Sequence, residues 1–210
     1  MDIRAVIFDL DGVICDTHQI HFEAYRSALL QIFYYDMTWE HYNSIGTPPT
    51  RVRTQYLLEH GFIHTGDDYS KVEKLHQLKK EITAEKTAFM GEDSKLQDLL
   101  AQGQERFGLK YGIASNASDG FVAEVLGKKN ISHFFDSIIG SYNVVHTKPS
   151  PEMYLISMAN LNVGPRETII LEDSNLGLVA AYKSGAIVYR VNNPDDVNHD
   201  LLDLIKQLNN

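Results

Sequence analysis

Cysteine is almost absent from these 210 residues, and the one present, Cys15, has no partner for an intrachain disulfide. That fits a reducing compartment and predicts a cytoplasmic protein. Cys15 sits among Val13, Ile14 and Asp16 with no base nearby in sequence, so it reads as a buried, inert thiol rather than a nucleophile. No apolar run approaches the roughly 20 residues of a membrane helix. The start, Met1-Asp2-Ile3-Arg4, lacks the charged-then-apolar pattern of a signal peptide. No membrane partner is therefore expected. Positive charge is scarce too: 19 Lys and Arg stand against 28 Asp and Glu, a formal net charge of -9. A non-specific nucleic-acid binder needs the opposite sign, so nucleic acid is not an expected partner. The same charge repels phosphorylated metabolites at long range. A phosphate-ester site would need a metal and local cations to reverse the field. Repeats and low-complexity tracts are also missing. Nothing sets an oligomeric state, and a monomer is compatible with the composition.

What is present is ordinary globular material, with 43% hydrophobic and 22% charged residues. Ala5-Val6-Ile7-Phe8 is a short apolar run that ends abruptly at the polar turn Asp9-Leu10-Asp11-Gly12. It reads as a buried parallel strand followed by a loop. Similar runs recur at Tyr111-Gly112-Ile113-Ala114, Ser137-Ile138-Ile139, Thr168-Ile169-Ile170-Leu171 and Ala186-Ile187-Val188-Tyr189. Helical patterns lie between them, one carrying Phe121, Val122, Val125 and Leu126, another Met153, Tyr154, Ile156, Ser157 and Leu161. This alternation predicts an α/β fold with a doubly wound, Rossmann-like parallel sheet. The stretch from Thr17 to Phe89 shows only helical periodicity. It predicts an inserted α-helical cap over residues 17–89, with the core formed by residues 1–16 and 90–210.

Doubly wound sheets place their sites beyond the C-terminal ends of the strands. Asp9 and Asp11 follow the first run, Ser115 and Asn116 the second, and Glu172 and Asp173 the fourth. Lys148 lies in Thr147-Lys148-Pro149-Ser150-Pro151, just before a helix. Four carboxylates in one pocket repel strongly unless protonated or bridged by a cation. Hard oxygen ligands select Mg²⁺ over zinc. A lone Asp-x-Asp is more often a turn or cap. A second acidic pair after another strand requires that coincidence twice. Ser115 alone is a turn residue and Lys148 alone a surface lysine; their positions after strands raise them to candidate phosphate-binding groups.

Four segments together resemble the haloacid dehalogenase superfamily, in its order and across nearly the whole core. They are Asp9-Leu10-Asp11-Gly12-Val13, Ile113-Ala114-Ser115-Asn116, Thr147-Lys148-Pro149-Ser150-Pro151, and Leu171-Glu172-Asp173-Ser174-Asn175 with Gly177. The subgroup of beta-phosphoglucomutase and small sugar-phosphate phosphatases, with a helical cap after the first segment, is the most similar. The resemblance implies an Mg²⁺-dependent phosphatase acting on a small phosphorylated metabolite through an aspartyl-phosphate. A phosphomutase is the runner-up, and a non-catalytic binding protein on the same fold is a third reading. Asp9 would be the nucleophile and Asp11 the acid–base residue. Asp9, Asp11 (through its carbonyl), Asp173 and Glu172 would form or adjoin the metal shell. Ser115, Asn116 and Lys148 would bind the phosphoryl group. An acid at Asp11 favours phosphate esters over halide displacement, which has no alkoxide to protonate.

The resemblance also reaches the cap. His21 stands where the mutase carries a histidine; the alternative is a cap-helix histidine satisfied locally. Arg51, after Gly46, resembles an arginine that grips a distal phosphate, with Arg53 competing for the role. Lys79 and Lys80 read as surface lysines.

Overall fold

The computed structural model describes residues 2–210. Met1, part of the expected core range, lies outside them. The chain divides into two compact units, one comprising the chain up to Asp16 together with Met90–Asn210, the other Thr17–Phe89.

The first unit is built on β1 (Ala5–Phe8), β2 (Lys110–Ala114), β3 (Phe135–Ile139), β4 (Thr168–Glu172) and β5 (Ile187–Arg190). They form one sheet in the order β3-β2-β1-β4-β5, with every pair parallel. The strands stand where the apolar runs predict them. β1 is central and buried along its length because all four of its residues are apolar. Successive side chains point to opposite faces. Val6 and Phe8 pack with Leu96, Leu99, Val122, Leu126, Leu201 and Ile205. Those residues come from α5 (Ser94–Phe107), α6 (Asp119–Lys128) and α9 (Asp200–Asn209). Ala5 and Ile7 pack on the other side with Met153, Met158, Ala180 and Ala181, from α7 (Glu152–Leu161) and α8 (Asn175–Ser184). β5 is an edge strand, and its residues are only partly covered.

The sequence reading names two helices in this unit, α6 and α7; α5, α8 and α9 are additional. α5 carries a clear apolar stripe of Leu96, Leu99 and Leu100. α8 is masked by its small residues, Gly177, Ala180, Ala181 and Ser184, which bury well but score weakly as an apolar face.

The second unit holds α1 (His18–Phe33), α2 (Trp39–Ser44), α3 (Thr50–Glu59) and α4 (Ser70–Thr87). Its own core gathers Phe22, Tyr25, Leu29, Met37, Leu57, Ile63 and Leu75. The reading foresees three of these helices. α2 is six residues long and buries none of them fully, so it has no periodicity to detect. It starts because the Thr38 hydroxyl accepts from the His41 N–H at 3.2 Å.

Asp93 ties α5 into the first unit. One carboxylate oxygen accepts from the Leu96 N–H at 3.1 Å, and the other meets the Lys129 ammonium at 2.9 Å. Burial pushes the Asp93 carboxyl up, but Lys129 and the Leu96 N–H outweigh it and the net shift is downward. A depressed folded-state value contributes stability above the unfolded-state pKa, roughly 3.9, and loses it as the pH falls through the folded-state value. Asp93→Ala is expected to cost about 1 kcal/mol at neutral pH, a fall of about 2–4 °C in Tm. Thermal melts of both proteins from neutral pH downward check it: the gap should narrow as the pH falls below the unfolded-state pKa.

Candidate active site

Three neighbouring strands of the first unit deliver the site. Asp9 follows β1, Ser115 follows β2 and Glu172 ends β4. The loop between β3 and α7 brings Lys148, which is followed by a cis peptide to Pro149. The β1 ladder continues through Asp9, whose N–H donates to the Leu171 carbonyl at 3.0 Å. The chain then turns through Leu10-Asp11-Gly12, where the Ile14 N–H donates to the Leu10 carbonyl at 2.9 Å. Gly12 takes φ 85°, and a Cβ there would run into the Asp173 carboxylate. Only glycine suits both the left-handed backbone and that close approach. Cys15, after this turn, is buried, as its sequence context predicts.

Lys148 is 4% exposed. Its Nζ donates to Asp9 Oδ1 at 2.6 Å and to Glu172 Oε1. Its backbone is gripped by the Asn116 side chain. Asn116 Oδ1 accepts from the Lys148 N–H at 3.0 Å, and Asn116 Nδ2 donates to the Lys148 carbonyl at 3.4 Å. The Asn116 amide group thus fastens the end of β2 to the lysine loop. Ser115 is buried, and its hydroxyl accepts from the Ala117 N–H at 3.1 Å.

Glu172 is completely buried. Oε1 accepts from Lys148 and, at 2.7 Å, from the Tyr154 hydroxyl. Oε2 accepts from the N–H groups of Asp173 and Ser174 at 3.0 and 3.1 Å, and from the Ser174 hydroxyl at 3.2 Å. Five donors therefore converge on roughly four lone-pair directions. Ser174 also caps α8 by accepting from the Gly177 N–H at 3.1 Å. Tyr154 was legible only as one of the residues on the α7 face. Its signal was a phenol on an apolar helix face, a group that needs a partner for its O–H when buried.

The donor set suits a hard divalent cation. Ligand oxygens of Asp9, Glu172 and Asp173 lie within 4.8 Å of one another, and carboxylates select Mg²⁺-like ions. Of the three, Glu172 is saturated by protein donors, so Asp9 and Asp173 are the better placed ligands. The electrostatics agree. Burial pushes the Asp9 carboxyl well above its ordinary value; Lys148 opposes this, while Glu172 and Asp11 add to it. Burial alone would lower the Lys148 pKa, but Asp9 and Glu172 raise it, so the ammonium stays charged. A single ammonium does not balance the acids around it, and a bound cation would favour the charged form of Asp9.

The remaining sequence candidates lie in the second unit. His21 Nδ1 accepts from the Lys79 ammonium at 3.0 Å. Lys79 is half-buried there, which corrects its reading as a surface lysine, while Lys80 is exposed. Helical spacing on α4 did not show this because the partner sits on α1. Arg53 is buried, with its fork on the carbonyls of Tyr42 and Gly46, both at 2.5 Å, and its guanidinium 3.7 Å over the Tyr42 ring. It is a structural cation. Arg51 is exposed, meets Glu73 at 3.3 Å, and lines a groove of about 560 Å³ between α3 and α4 with Gln55, Glu59 and His76.

Comparison with known proteins places this geometry. The profile of the haloacid dehalogenase-like hydrolases matches residues 6–191. The chain is 29% identical over 184 residues to a phosphorylated carbohydrates phosphatase of Thermotoga maritima, covering 87% of this chain and 82% of that protein. It is also 29% identical over 190 residues to the beta-phosphoglucomutase of Bacillus subtilis, covering 87% and 80%. The crystal structure of a beta-phosphoglucomutase from Clostridium difficile superposes with a TM-score of 0.79 at 22% identity, over 98% of this chain and 97% of that one. That likeness establishes the fold.

A Cβ on Gly177 would overlap the Glu172 carboxylate, whereas one on Gly127, near the end of α6, meets nothing within 4 Å. Gly177→Ala is expected to cost about 1–3 kcal/mol by overpacking. Gly127→Ala should be neutral or stabilise by up to about 1 kcal/mol. Denaturant titrations of the pair check this; equal effects would show that the Glu172 pocket yields.

Proposed function

Because the chain belongs to the haloacid dehalogenase-like hydrolases, we propose that it is an Mg²⁺-dependent phosphatase acting on a small phosphorylated carbohydrate. The observation that carries this reading is the buried Lys148 ammonium held between Asp9 and Glu172, beside the acid cluster that Asp173 completes. Two of its three N–H groups are engaged, which leaves one for an incoming phosphoryl oxygen. Relatives named for phosphorylated-carbohydrate hydrolysis support the substrate class.

In this reading Asp9 attacks phosphorus as the ester P–O bond breaks, giving an aspartyl-phosphate. Asp11 hands its proton to the departing alkoxide. Water then attacks phosphorus and gives a proton to Asp11. The bond to Asp9 breaks, and inorganic phosphate leaves. Ser115, the Asn116 backbone N–H and Lys148 bind the phosphoryl oxygens throughout, where charge develops. Asp9, the Asp11 carbonyl and Asp173 would hold Mg²⁺, with Glu172 beside that shell. The ion supplies charge neutralisation between Asp9 and the anionic ester.

A second reading replaces water by a sugar hydroxyl, which makes the same residues a phosphomutase. The relative named beta-phosphoglucomutase, equally identical to this chain, favours it. The two separate on a panel of sugar phosphates with Mg²⁺. Release of inorganic phosphate is expected. Interconversion of hexose monophosphates with negligible release would reverse the preference. Asp9→Asn should abolish turnover, and Asp11→Asn should lower it by about 10²–10⁴-fold. Full activity in Asp11→Asn would remove that residue from the acid–base role.

A check independent of turnover is the response to beryllium fluoride, a mimic of the aspartyl-phosphate. With Mg²⁺ and the mimic at about 100 times its Kd, the fold should gain about 2.7 kcal/mol, or about 5–10 °C in Tm. A metal chelator or Asp9→Asn should erase the gain.

A further inference from the structure

We infer that Tyr154 is a positioning residue that, acting through Glu172, fixes where the Lys148 ammonium points. The inference rests on the reading of Lys148 as the phosphoryl-binding cation. Tyr154 lies on α7, six residues beyond Lys148, and is completely buried. Its hydroxyl donates to Glu172 Oε1 at 2.7 Å, the oxygen that also receives Lys148 Nζ. Its ring stands 4.9 Å from that same Nζ. One side chain thus touches both ends of the Lys148–Glu172 pair.

The physical need for such a residue is plain. A lysine ammonium is a point charge on a flexible four-carbon stem with three equivalent donors. Two carboxylates alone define a line, and the ammonium can swing about it. Glu172 removes that freedom only if its own carboxylate is held. Its Oε2 end is held by the three donors at the start of α8. Its Oε1 end faces α7, and there Tyr154 is the donor other than Lys148. The phenol completes the orientation without adding a charge that would compete with substrate. Its ring face blocks one side of Nζ and attracts it weakly. With Asp9 and Glu172 holding two N–H groups, the direction of the third is set with theirs.

Tyr154→Phe keeps the ring and removes only the hydroxyl, so the packing of α7 is retained. With the fold verified by thermal melt, kcat on the best ester of the panel should fall about tenfold, the scale of a lost hydrogen bond to a charged group. KM should change less than kcat, because the misplaced cation acts on the developing charge. In a Lys148→Met background the same substitution should have little further effect, under about twofold, since the residues act as one unit. Equal losses in both backgrounds would reduce Tyr154 to packing and overturn the inference.

A second readout does not depend on turnover. In a proton–nitrogen correlation spectrum of lysine ammonium groups, the signal absent from Lys148→Met belongs to Lys148. It should be sharp and slowly exchanging in the wild type and should shift or broaden in Tyr154→Phe. An unchanged signal overturns the inference whatever the kinetics. A shifted signal in a protein that hydrolyses no ester overturns the proposed function instead and leaves the Tyr154 coupling standing.

Discussion

The structure turns on one buried ammonium between two carboxylates that come from different strands. Asp9 and Glu172 end adjacent parallel strands, and Lys148 bridges them from a loop that follows a third. Asp9 and Lys148 are nearly buried and Glu172 wholly so, and each charge therefore depends on the others: removing one partner of a buried pair typically costs about 3–5 kcal/mol because the other is stranded. Much of the local architecture follows from that demand. Asn116 fastens the lysine loop to β2, Ser174 and Asp173 present their N–H groups to Glu172, and α7 contributes a phenol in place of another charge. The acids still outnumber the cations here, which is the condition a bound divalent ion would answer before a dianionic substrate group could approach.

Most of the first unit is legible because parallel strands buried on both faces leave short continuous apolar runs, each ending at a polar turn. Asp9, Ser115 and Glu172 stand at those ends, so reading the residue after each run finds them. Tyr154, the Asn116 clamp and the Lys79–His21 contact are not legible. Each depends on partners far apart in sequence, and each residue has an unremarkable local reading. The choice between Arg51 and Arg53 shows the same limit from the other side. Two residues apart on one helix, they look interchangeable, yet one has its fork bound to backbone carbonyls and the other lies at the surface. Burial separates them, and spacing does not report it.

Two of the helices that escape the sequence reading, α2 and α8, do so for local reasons. α2 is too short to show a period. α8 packs through glycine, alanine and serine, which suit close approach to the sheet but carry little hydropathy. Small residues there also keep the start of α8 against Glu172, where a Cβ on Gly177 would collide. The same economy of volume that hides the helix makes the acid pocket possible.

The central strand comes first in the chain. β1 pairs with β2 about a hundred residues later, Ala5 with Lys110, and with β4 later still, Ala5 with Thr168. Contacts of that separation carry a large loop-closure cost and form slowly. As the chain leaves the ribosome, the four helices between Thr17 and Phe89 have their own core at hand, while β1 must wait for partners not yet made. The acids of the first strand thus spend the longest time of any part of the site without their lysine. Synthesis order alone lets the acid cluster close only after Lys148 and Glu172 have been made, well after the helices of the second unit.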